Sequence, residues 1–238
     1  MSEHIVKSFD EELERLRGAV QEMGGLAAEQ LELSLRALLE PDPELAEQVV
    51  EADSEIDALE QRISQDAIRL LALRQPMAVD LRQAIAAIKI AFDLERSGDL
   101  AKNIALRLPV LKGFANRGTL ETVARMGELA GWQLHDVLRA YSGTDPVLAR
   151  EVWLRDRQID DLYESNFRVY LTYMMEDPRT ISAYTHLHFV AKNIERIGDH
   201  STNIARSVYY LAEGVPLDEP RPKGADAKTA YVDPPAET

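Results

Sequence analysis

Two stretches of this chain place carboxylates at helical spacing, and the second repeats the first. Asp93-Leu-Glu95-Arg96-Ser-Gly98-Asp99-Leu-Ala-Lys-Asn103-Ile104-Ala105 is matched by Asn193-Ile-Glu195-Arg196-Ile-Gly198-Asp199-His-Ser-Thr-Asn203-Ile204-Ala205. From 91 to 105 and from 191 to 205, eight of fifteen positions are identical, and Glu, Arg, Asp and Asn are among them. Packing alone does not require those types. On a helix Glu95 and Asp99 lie one turn apart on one face, with Asn103 a further turn along at its edge. Ile88 and Phe92 each stand seven residues before one of these acids, so the acids continue the apolar stripe that should face neighbouring helices. Earlier in each half the spacing recurs: Asp53 and Asp57 flank Ile56, and Asp156 and Asp160 flank Ile159.

Each half therefore offers two acidic pairs, Asp53 and Asp57 with Glu95 and Asp99, and Asp156 and Asp160 with Glu195 and Asp199. One exposed like-charge pair at this spacing costs only about 0.2–0.5 kcal/mol, so a lone pair means little and reads as a solvated helix face. Four carboxylates converging in a partly dry groove must take up protons, pair with Arg96 and Arg196, or bind a cation. Retention of both pairs in both halves favours the cation. Oxygen donors suit Mg, Ca, Mn or Fe, with Zn possible, and the absence of cysteine excludes thiolate ligands. These ligands leave the identity of the metal open.

Neighbouring residues have two readings each. Asn103 and Asn203 either donate to the carboxylates from outside or bond across the bundle, and Arg96 and Arg196 stand close enough in sequence to support the acids in the same way. Gly98 and Gly198 interrupt helical segments at a cost of about 1 kcal/mol relative to Ala, which close helix approach would explain. His188 shares the face of Glu195 and His200 adjoins Asp199, but the first half has Ile88 and Leu100 there, so both are read as core-edge or surface residues. Trp132 and Trp153 read as packing or interface anchors.

The elements that must position these groups are helices. With a shift of 103, residues 20–59 match 123–162 at 19 of 40 positions, including Met23 with Met126 and Gln30 with Gln133. The chain is a tandem duplication of a unit of about one hundred residues. Apolar residues recur at three- and four-residue steps, and strand-like alternation is absent. Asp42-Pro43, Asp145-Pro146 and Asp177-Pro178 each pair an N-cap residue with a proline suited to the first turn. The pattern predicts helices near 3–39, 43–73, 76–108, 117–142, 146–175 and 178–212. The fold class is all-α: two tandem three-helix bundles, 1–112 and 113–214, followed by a Pro-rich tail, 215–238, expected to be disordered.

The chain has 238 residues, 45% hydrophobic and 29% charged, enough for a packed core. A formal charge of −14 repels nucleic acid, so no direct nucleic-acid partner is expected. No apolar run approaches the roughly 20 residues of a membrane span, and the acidic start, Met1 to Glu14, is unlike a signal peptide. The expected location is the cytoplasm.

The two three-helix units with their acidic pairs, and above all Asn193-Ile-Glu195-Arg196-Ile-Gly198-Asp199-His200 with Asn203-Ile204-Ala205, resemble the PhoU family over nearly the whole chain. The resemblance implies tandem three-helix bundles, cytoplasmic and often homodimeric, holding metal ions on the acidic motifs. Those motifs fall on Asp53, Asp57, Glu95, Asp99, Asp156, Asp160, Glu195 and Asp199. The implied role is negative regulation of phosphate uptake and of the phosphate-starvation response. The implied partners are the phosphate ABC transporter ATPase and the phosphate-sensing histidine kinase, and the resemblance implies no enzymatic activity. Ser97 and Leu100 stand where the second motif has Ile197 and His200, so the first site is expected to be drier or differently occupied. Two rival readings are a metal-free helical scaffold and a carboxylate di-metal enzyme. Such enzymes use Glu-x-x-His ligands, and no histidine here has a Glu three residues before it.

Overall fold

Each Asp-Pro pair begins a helix or a helical turn. Asp42 Oδ1 accepts the Glu44 amide at 2.9 Å, Asp145 accepts those of Val147 and Leu148, and Asp177 accepts that of Arg179. Each thus satisfies an amide that the first turn leaves without an intrahelical partner. The computed structural model describes residues 2–40, 42–74, 77–113 and 116–218, and no strand occurs among them. The helices are α1 (Ser2–Leu39), α2 (Pro43–Arg74), α3 (Val79–Ala105), a short α4 (Leu108–Leu111), α5 (Arg117–Gly143), α6 (Pro146–Arg155), α7 (Arg157–Glu176) and α8 (Ile181–Glu213). A 3₁₀ turn, Pro178–Thr180, leads into α8.

One long helix was expected over 146–175; the structure divides it into α6 and α7 at Asp156. Asp156 keeps right-handed helical dihedrals, and its carbonyl accepts the amides of Ile159 at 2.9 Å and Asp160 at 3.3 Å. The backbone therefore stays helical at the break itself.

Helices α1, α2 and α3 pack on one another, and α5, α6, α7 and α8 form the second unit. The units meet through α1 against α5 and α3 against α8, which puts the two motif-bearing helices side by side. Reciprocal contacts mark the pseudo-two-fold relation. A Cβ built on Gly24 would lie 2.4 Å from Leu138 Cδ2, and one on Gly127 would lie 2.3 Å from Leu35 Cδ2. Gly24 and Gly127 are repeat equivalents, as are Leu35 and Leu138.

The hydrophobic interior is shared between the units. One cluster joins Val20, Met23, Ile56 and Ile90 to Leu134, Val137, Trp153 and Val208; another joins Leu31 and Ile104 to Met126, Tyr170 and Leu187. Leu217, in the segment expected to have little to bury, belongs to the first cluster. The rest of the tail, 219–238, lies outside the described residues. Trp153 is buried and Trp132 exposed. Among the described residues no helix is long and apolar enough to cross a membrane.

Candidate metal centres

The first acidic cluster forms where α2 lies against α3. Gly98 permits the approach: a Cβ there would meet Gln30 Oε1 at 2.9 Å and Ile56 Cδ1 at 3.0 Å. Asp53 is buried, Asp57 exposed, and Glu95 and Asp99 are half-buried. Lys102, one turn beyond Asp99, reaches into the group and donates to Asp99 Oδ1 at 2.7 Å and to Asp53 Oδ2. Arg96 covers the outer side, 3.3 Å from Glu95 Oε2 and 3.6 Å from Asp99 Oδ2.

The acids sense one another. Loss of solvent, and after it the charge of Asp53, raises the Asp57 carboxyl, with Lys102 opposing. Desolvation also raises Glu95; Arg96 opposes it, and Asp99 and Asp57 add to it. Burial disfavours the Lys102 ammonium, but its hydrogen bonds to Asp53 and Asp99 outweigh that cost and hold it above the ordinary lysine range.

The second cluster is built the same way from α6, α7 and α8. A Cβ on Gly198 would lie 2.9 Å from Asp156 Oδ1, 3.1 Å from Ile159 Cδ1 and 3.4 Å from Gln133 Oε1. Asp156 is 2% exposed, and Asp160, Glu195 and Asp199 are half-buried. Thr202 replaces Lys102 here, and its hydroxyl donates to the Asp199 carbonyl at 2.8 Å. Lys192 approaches from the other side, 2.6 Å from Glu195 Oε2. Burial pushes the Asp199 carboxyl up to about 6, reinforced by Glu195 and Asp160 and partly offset by Lys192 and His200.

Two buried oxygens bear on what these clusters can hold. Gln30, 1% exposed, donates through Nε2 to the Val49 carbonyl at 3.0 Å, while its Oε1 accepts from nothing among the described residues. Gln133, its repeat equivalent, is 4% exposed and its Oε1 is likewise without a donor. A buried acceptor left unmatched costs about 1–3 kcal/mol. Carboxylate and amide oxygens together are the donor set of a hard cation, so the residues fit one by chemistry. Among the described residues no three His, Asp or Glu side chains converge into a group that could hold a metal ion. Lys102 and Arg96 draw the first set of acids onto themselves, and Lys192 draws Glu195.

Between the clusters, a cleft of about 530 Å³ opens along the seam of α3 and α8, lined by Arg96, Asp99, Asn103, Arg196, Asp199 and Asn203 among others. At its edge the buried Asp93 lies 2.8 Å from His200 Nδ1 and accepts from Asn203 Nδ2 at 3.3 Å. Of the two roles open to Asn203, this is the cross-bundle one. His188 packs against Phe167 and Tyr163, with ring centroids 4.9 and 5.5 Å away. Burial, followed by Lys192, lowers its pKa.

Neither Lys102 nor Asp93 stands out by carboxylate spacing. The signal for Lys102 was its place three residues after Asp99 together with the loss of charge at Thr202. The signal for Asp93 was a charge in an otherwise apolar stripe.

The architecture and paired clusters define an internally duplicated helical protein with equivalent acidic sites in its two halves. A family model, the PhoU domain, matches residues 20–108 and again 123–208, and the chain belongs to the PhoU family. A protein of Caulobacter vibrioides (strain NA1000 / CB15N), named phosphate-specific transport system accessory protein PhoU homolog, is 50% identical over 224 residues, covering 94% of this chain and 97% of its own. The homolog of Rhizobium meliloti (strain 1021), named in the same words, is 48% identical, covering 92% and 93% respectively. The crystal structure of PhoU from Pseudomonas aeruginosa is similar with a TM-score of 0.84 at 39% identity, over 87% of this chain and 100% of that one. The phosphate transport system regulatory protein PhoU from Streptococcus pneumoniae gives 0.82 at 31% identity, over 89% and 100%.

Proposed function

We propose that this protein is a metal-binding regulatory adaptor that restrains phosphate uptake and the phosphate-starvation response. The names of its relatives, accessory and regulatory proteins of phosphate transport, support the regulatory part. The cation part is carried by one observation: the buried Gln133 Oε1, which accepts from nothing among the described residues, faces Gly198 together with Asp156 Oδ1, beside Glu195 and Asp199. Asp53, Asp57, Glu95 and Asp99 would hold a cation in the first half, and Asp156, Asp160, Glu195 and Asp199 in the second. A bound cation supplies the positive charge that clustered carboxylates lack. The acids, drawn from α2 and α3 in the first unit and from the α6–α7 junction, α7 and α8 in the second, would then fix α2 to α3 and the α6–α7 pair to α8. That arrangement sets the outer faces presented to partners, and the acids themselves carry out no chemical conversion.

The partners in this reading are the phosphate ABC transporter ATPase and the phosphate-sensing histidine kinase, met in the cytoplasm by a homodimer. The test is calorimetric titration with Mn²⁺, together with capture of both partners, on the native chain and on a variant with all eight acids changed to Asn or Gln. Loss of both activities in the variant is the expected result. Metal uptake and partner capture that survive unchanged would remove the reading.

A further inference from the structure

A second groove, of about 720 Å³, also runs between α3 and α8, and it is walled by apolar side chains where the seam cleft is walled by charges. Ile88 and Phe92 line it from α3 and Tyr210 from α8, with Phe92 51% exposed. Aromatic rings left half in water forgo burial that a further surface would supply. Lys89 and Arg206, one on each helix, line the same groove and form no ion pair among the described residues. Its acids are engaged: Asp93 with His200 and Asn203, and Glu60 with the Ser64 hydroxyl at 2.8 Å. On a chain of net charge −14, an apolar groove holding two unmatched cations suits an acidic segment with apolar side chains.

The chain supplies such a segment. It leaves α8 at Gly214 and lines the groove with Pro216 and Leu217, the latter 4% exposed. Beyond Leu217 the large apolar side chains are Tyr231 and Val232, and from 229 to 238 there are two acids, Asp233 and Glu237, with no lysine or arginine. Tyr231 follows Leu217 by fourteen residues, a reach of up to about 45 Å, several times the roughly 10 Å that α3 covers from 85 to 92. We propose that this groove is the docking site of the chain's own segment 231–237, with Tyr231 and Val232 set against Ile88, Phe92 and Tyr210, and Asp233 and Glu237 set toward Lys89 and Arg206. The tether makes the encounter intramolecular, at an effective concentration in the millimolar range, so a small contact suffices. The docked segment covers an apolar face of the repeat seam, and any other molecule that uses this face must first displace it.

The chain has no cysteine, so one introduced pair reports the docking. In the full-length chain, Ser207→Cys in the groove and Ala230→Cys in the segment are expected to close an intramolecular disulfide under oxidised glutathione. Adding Tyr231→Ser and Val232→Ser is expected to slow that closure at least about tenfold. A closure rate unchanged by those two substitutions reports chance encounter along the tether and overturns the proposal, as does a failure to close at all. A disulfide that joins two chains, seen as a dimer on a non-reducing gel, assigns the groove to a second copy and overturns it as well. A second measurement needs no cysteine: chymotryptic cleavage after Tyr231, followed by mass spectrometry, is expected to run at least about threefold faster in Lys89→Glu/Arg206→Glu than in the native chain. Both of those side chains are exposed, and cleavage at the native rate in that variant would count against the docking.

Discussion

Asp93 and His200 meet across the seam between the repeats, 2.8 Å apart although 107 residues separate them in the chain. Asp93 is buried, and its Oδ1 also accepts from Asn203 of α8 at 3.3 Å. The pair therefore ties α3 to α8 with a polar contact inside a largely apolar interface. In a double-mutant cycle of Asp93→Asn and His200→Ala, urea unfolding should give a coupling of about 1 kcal/mol. Additive single effects would show that the two residues do not act together.

The pH dependence of the metal-free protein should carry the signature of Asp199. Its carboxyl is pushed up to about 6 in the folded chain against an ordinary 3.8, so the native state holds this proton more tightly than the unfolded state does. The resulting stability is fully present below about pH 4 and is lost as pH rises through about 6. Solvent screening at this partly open site reduces the loss to about 1–2 kcal/mol. Asp199→Asn should raise the metal-free Tm at pH 7 and flatten the profile between pH 4 and 6. A variant profile parallel to the native one would count against this assignment.

Adjacent glycines in α1 should respond in opposite directions. Gly24 is covered by Leu138, whereas a Cβ on Gly25 would meet nothing within 4 Å. Gly24→Val, and Gly127→Val in the other half, should each destabilise by about 1–3 kcal/mol through overpacking. Gly25→Ala should stabilise by about 0.5–1 kcal/mol, the helix-propensity difference. Chemical denaturation measures all three, and a neutral Gly24→Val would mean that α1 and α5 are free to separate.

Cation binding should also appear as stability. Mn²⁺ at about one hundred times its Kd should add about 2.7 kcal/mol to the unfolding free energy, and a chelator should reverse the gain. The variant lacking all eight acids should show no such change in thermal unfolding. An equal gain in that variant would place the ion elsewhere.

Much of this architecture was legible from residue types. The Asp-Pro caps set the starts of α2 and α6 and the turn leading into α8, and the internal duplication pairs the acidic motifs. The interior was less legible. Amphipathic spacing shows that Val20 or Val208 faces apolar neighbours, but it does not say which helix supplies them, and here the supply crosses between repeats. The break at Asp156 escaped because no proline or glycine marks it and Asp156 itself keeps helical dihedrals. Lys102 escaped for a related reason: a lysine three residues after an aspartate normally marks a solvated face, and only the position of Asp53 on α2 turns it inward.

The reciprocal seating of Leu138 on Gly24 and Leu35 on Gly127 is the geometry of two like partners joined into one polypeptide. In a pair of identical subunits every substitution appears twice, once on each side of the axis. Fusion removes that coupling, so a lysine can arise in one half while its counterpart stays threonine. A doubled chain can thus keep the packing of a symmetric pair while its halves diverge toward separate tasks.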